Sequence, residues 1–80
     1  MTIREKMEQM LFEHGMFESQ AKEVMDKVEK EEVEMKGRWD DEETDYPTPM
    51  INVAWIAVKH HALEWIDANL PKAWYRPMFL

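Results

Sequence analysis

The stretch PMINVAWIAVKHHALEWIDAN, residues 49–69, decides the fold. Its polar residues, Asn52, Lys59, His60, Glu64 and Asp67, fall on one stripe at helical spacing, and the wider remainder is apolar. Ala54, Ala57 and Ala62 let neighbouring helices approach closely. Thr48 is placed to cap the helix, Pro49 suits its first turn, and Asn69 with Pro71 ends it. A helix this apolar needs cover on more than one side. It therefore reads as the central element of a bundle, spanning about 49–68.

Two shorter helices precede it. Thr2-Ile3-Arg4-Glu5 is a capping box, in which the Thr hydroxyl accepts from the Glu5 N–H and the Glu5 carboxylate reaches back. Ile3, Met7, Met10, Leu11 and His14 continue at helical spacing, and Gly15 fits a left-handed stop, so the first helix covers 3–14. Phe17, Ala21, Val24, Val28 and Met35, widened by Met25, predict a second helix over 18–36. Glu18–Lys22, Glu23–Lys27 and Asp26–Lys30 are acid-before-base pairs one turn apart. Glu31 interrupts the stripe, so the last two turns are expected to project beyond the core. The tail PKAWYRPMFL predicts one turn around Lys72–Tyr75 and then an extended hydrophobic end. The expected fold is all-α: a three-helix bundle in one domain of 80 residues, with an acidic loop at 38–48 and an apolar tail at 70–80.

Composition narrows the chemistry. Without cysteine there is no disulfide framework and no thiolate zinc site. The longest uncharged run, Tyr46–Val58, is 13 residues, too short to cross a bilayer, and the first residues lack a signal-peptide pattern. A cytoplasmic protein without membrane contact is expected. The net charge of −7 is unevenly placed: residues 1–45 hold 15 acids and 7 bases, residues 46–80 only 2 acids and 3 bases. Such a half disfavours direct nucleic-acid binding, which needs a basic surface, and favours a partner with a basic one.

The acids concentrate in RWDDEETDYPTP, residues 38–49, where five fall between Asp40 and Asp45. A calcium loop needs ligands at fixed offsets, a Gly and a terminal Glu, and this stretch has no Gly between them. It reads as a solvated loop, with mimicry of a phosphate backbone as the sharper alternative. Trp39 and Tyr46 flank it and are expected to anchor it. In a binding role the contact residues are Trp39, Asp40, Asp41, Glu42, Glu43, Asp45 and Tyr46, with Trp74, Tyr75 and Phe79 of the tail as aromatic anchors.

Catalytic sets are not visible: Ser19 is the only Ser, and Cys is absent. No catalytic, cofactor or metal residues are assigned. Of His60 and His61, one is expected to face the core and the other solvent, with His14 a third histidine that helix packing could bring near. Glu31–Glu34 and Glu64–Asp67 resemble the E-x-x-E and E-x-x-D pairs that hold Mg²⁺ in all-α nucleoside-triphosphate pyrophosphohydrolases. In a simple hairpin these pairs are expected at opposite ends, about 20–25 Å apart at 1.5 Å per residue.

Two resemblances concern whole segments. LFEHGMFESQAKEVM resembles the first helix and following loop of ubiquitin-associated domains, although the second helix is too long for that unit. REKMEQMLFEHGMFESQA, the GRWDDE…YP loop and ALEWIDANLPKAWYRPMF together resemble a group of small proteins encoded by tailed phages and prophages. That resemblance implies action in the bacterial host cytoplasm and defines no functional residue. By analogy with acidic phage inhibitors, including anti-CRISPR-type counter-defence factors, it implies a non-enzymatic protein that binds a host defence or nucleic-acid-handling protein. A self-associating accessory phage protein, such as a homodimer joined through the tail, is the alternative.

Overall fold

The computed structural model describes residues 1–42 and 47–70, and these form three packed helices: α1 (Ile3–Glu13), α2 (Glu18–Glu31) and α3 (Thr48–Asn69). The all-α bundle is as expected, with every helix touching the other two. The expected turn at Lys72–Tyr75 and the hydrophobic tail lie outside the described residues.

Both ends of α1 are set by local chemistry. Thr2 Oγ1 accepts from the Glu5 N–H at 3.0 Å, and Glu5 Oε1 accepts from the Thr2 N–H at 3.0 Å, closing the capping box. At the other end Gly15 takes φ +97°, Met16 N–H reaches Leu11 C=O and Gly15 N–H reaches Phe12 C=O. This is the paired closure that glycine permits after a last turn. Ile3, Met7 and Leu11, each a turn apart, are buried, and Met16 joins them.

α2 begins with Gln20 accepting from the Phe17 N–H at 2.9 Å. Its buried face is Ala21, Val24, Met25 and Val28. Phe17, expected on that stripe, is instead 73% exposed, because it precedes the helix in extended backbone. Arg4 fastens α1 to α2: its guanidinium lies 2.8 Å from Asp26, 3.0 Å from Glu29 and 3.4 Å from Glu8. Asp26 and Glu23 thus serve other helices, Glu23 by accepting from the Trp65 indole N–H at 2.7 Å. Glu18–Lys22 forms as expected, at 3.1 Å.

The expected end of α2 at residue 36 is corrected. The helix stops at Glu31, and residues 33–40 form turns, with Gly37 at φ +83°. The projecting end expected there does not form, because the chain folds back to bury Met35 and Trp39, the latter only 2% exposed. A buried tryptophan removes on the order of 150–250 Å² from water, more than two further turns of EKEEVE helix could cover. The returning segment docks on the start of α1, where Arg4 N–H donates to Trp39 C=O at 2.9 Å and Thr2 pairs with Glu42 in an isolated antiparallel bridge.

α3 starts one residue earlier than expected. Pro47, not Thr48, occupies the capping position, no side chain caps it, and Pro47 C=O accepts from Met50 and Ile51. Its core face is Ala54, Val58, His61, Ala62 and Ile66. No helix among the described residues is long and apolar enough to cross a membrane.

Candidate functional site

Where the end of α2 meets the middle of α3, charge gathers around one histidine. His61 is only 7% exposed. Its Nε2 lies 2.7 Å from Glu32 Oε1, within hydrogen-bond distance. Nδ1 lies 3.7 Å from Glu31 Oε2 and 3.7 Å from Glu64 Oε2, too far for a hydrogen bond, and has no hydrogen-bond partner. Neighbouring His60 is exposed and holds Glu64 Oε1 at 2.8 Å. The histidine pair thus divides between core and solvent, as adjacent helical positions dictate. His14 does not join them; it stacks on Trp55 at 5.1 Å.

This convergence corrects the separation expected for the two acidic pairs. Glu31 and Glu64 approach the same imidazole nitrogen, because the second half of α3 runs back along α2 with Trp65 at Glu23 and His61 at Glu31 and Glu32. Among the described residues, no group of three His, Cys, Asp or Glu side chains is arranged to hold a metal ion.

Beside this cluster lies an open groove of about 690 Å³. One wall is the chain from Glu31 to Met35; the other is Val53, Ile56, Ala57 and His60 of α3. Val33 is 80% exposed, Ile56 69% and Val53 43%. Three large aliphatic side chains therefore stand exposed beside Glu31, Glu32 and Glu34, and among the described residues no Lys or Arg lines the groove. None of the three aliphatics was singled out as a binding residue. The signal for Val53 and Ile56 was the width of the apolar face on 49–69; Val33, alone among Glu31, Glu32 and Glu34, carried none.

The sequence-predicted binding residues divide differently. Trp39 is buried in the core, in keeping with the anchoring role expected of it; its place among the contact residues is corrected, because it offers a partner no surface. Asp40, Asp41 and Glu42 are exposed. Glu42 accepts from the Met1 ammonium at 2.9 Å, which raises that ammonium above its ordinary value of 8.0 through the hydrogen bond. Glu29, behind the segment, is pushed up by burial and by repulsion from Asp40, with Arg4 pulling the other way. For Arg4 itself, burial opposes the charge, but Asp26, Glu29 and Glu8 outweigh it and hold the guanidinium above its ordinary value. Glu43, Asp45, Tyr46, Trp74, Tyr75 and Phe79 lie outside the described residues.

Comparison with known proteins finds no match to the chain, neither a protein-family model nor a curated protein nor a solved structure.

Proposed function

We propose that this is a non-enzymatic, phage-encoded binding protein that acts in the host cytoplasm. In this reading it inhibits or modulates a host defence or nucleic-acid-handling protein through its acidic surface. The observation that carries the reading is the charge of residues 29–45, where nine acids stand against three bases, together with the way its middle is held. Asp40, Asp41 and Glu42 are exposed, yet the backbone beside them is tied to α1 and weighted by buried Trp39.

Grouping like charge costs stability; burial is the main push on Glu29, and Asp40 adds repulsion to it. A segment that was merely solvated could lie loose and spread its charges. Holding them at fixed positions lowers the entropy lost on binding and presents a phosphate-like field to a basic groove. The phage origin rests on the resemblance of the three segments quoted above.

The test is capture from bacterial lysate with the tagged protein, identified by mass spectrometry. Wild type is compared with the Asp40→Asn, Asp41→Asn, Glu42→Gln, Glu43→Gln form. The reading expects a basic, nucleic-acid-handling protein retained by wild type alone, at unchanged helicity. Equal recovery by both forms sinks it.

A further inference from the structure

We propose that the groove between Glu31–Met35 and α3 is a docking site for a basic amphipathic helix of a protein partner. This rests on the reading of the chain as a binding protein and assigns it a second contact, apart from Asp40–Glu42.

α3 carries two apolar stripes. The first, Ala54, Val58, Ala62 and Ile66, is consumed by the core. The second, Val53, Ile56 and Ala57, follows the i, i+3, i+4 spacing that meets another helix, and His60 extends it at i+7. Among the described residues nothing covers it, for Ile56 and Val53 remain exposed and Val33 faces them from the other wall. Clustered aliphatics with a polar rim are the anatomy of a protein contact rather than of a solvent face.

The rim selects the occupant. Glu64 is already held by His60, but Glu31 reaches His61 Nδ1 only at 3.7 Å, and Glu34 has no ion pair among the described residues. Lys or Arg side chains beside an apolar stripe would answer these charges. Nucleic acid is repelled by the same rim. A second copy docking symmetrically would set its own Glu31, Glu32 and Glu34 against these. An added strand finds no extended edge among the described residues: the α3 wall spends its backbone groups inside the helix, and the other wall is turned, with Lys36 N–H on Val33 C=O and Arg38 N–H on Met35 C=O. Recognition must run through side chains, which is the helix-in-groove mode.

The experiment titrates the full chain with a synthetic Leu/Lys amphipathic peptide of roughly four turns, and with its Leu/Glu counterpart. Methyl NMR of the protein and fluorescence anisotropy of the peptide are the readouts. The expected result is shifts concentrated at Val33, Val53 and Ile56, binding of the Lys peptide only, and a loss of about tenfold or more in Ile56→Asp and Val33→Asp. These substitutions separate the explanations, because added negative charge tightens a purely electrostatic contact but weakens an apolar one. Both positions are exposed, and unchanged circular dichroism checks the fold. The proposal is overturned by unshifted methyls, by undiminished binding to Ile56→Asp, or by a dimer in sedimentation that Ile56→Asp dissolves. Repeating the lysate capture with Ile56→Asp keeps the two readings apart. Loss only on neutralising 40–43 refutes the groove and spares the acidic segment; loss only with Ile56→Asp does the reverse.

Discussion

Trp39 offers the sharpest test of how the acidic segment is held. The side chain is 2% exposed and belongs to the core cluster that all three helices share. Truncation of a buried tryptophan to alanine costs about 3–5 kcal/mol from lost transfer energy and the cavity left behind. A domain of this size holds roughly 4–12 kcal/mol in all, so Trp39→Ala should remove about a quarter or more of the total. Trp39→Phe separates the ring from its polar edge. The indole Nε1 is buried without a hydrogen-bond partner, and burying such a donor costs about 1–3 kcal/mol. Phenylalanine loses some packing but also removes that orphan, so it should lie within about 1 kcal/mol of wild type. Urea denaturation followed by circular dichroism at the helical band, with the slope checked for constancy, measures both. If Trp39→Ala costs less than about 1 kcal/mol, the returning segment is not part of the core. If Trp39→Phe is as damaging as Trp39→Ala, the indole N–H is engaged and the account of its burial is wrong.

Three further outcomes follow from the same contacts. Thr2→Ala breaks the capping box of α1 and should cost about 1 kcal/mol in thermal or urea unfolding. Gly37→Ala meets no neighbouring atom within 4 Å, yet it forces a side chain to φ +83°, so a loss of about 1–2 kcal/mol by backbone strain alone is expected. The Met1 ammonium, raised by Glu42, contributes stability that is fully present below pH 8.0 and fades as pH rises through its elevated folded value. Thermal midpoints compared at neutral and alkaline pH should fall less for Glu42→Gln than for wild type, and an identical fall in both would remove the pair from the account.

The parts of the fold legible in advance are those decided within a few residues. α1 was readable from end to end because Thr2, Glu5 and Gly15 settle its boundaries by bonds no longer than one turn. The end of α2 was not, since Lys30–Lys36 is adequate helix-forming sequence and only the distant burial of Met35 and Trp39 stops it. The same cause turned Trp39 from an expected contact residue into a core residue. At the groove, the excess of apolar residues on 49–69 was visible, but which of them stay uncovered depends on where α2 ends. The meeting of Glu31 and Glu64 at His61 likewise depends on α2 ending at Glu31, with the middle of α3 rather than its start beside that end.

The bridge between Thr2 and Glu42 has a kinetic consequence. With Arg4 tied to Trp39, and α1 to α2 through Asp26 and Glu29, the first 42 residues close upon themselves. Each of those contacts spans 22 or more residues, yet all of them lie within residues 1–42 and none requires α3. We expect α3 to dock on a unit that its first two helices have already closed. Substitutions at Val58 or Ile66 should accordingly speed unfolding far more than they slow refolding, whereas those at Ile3 or Met7 should do the opposite.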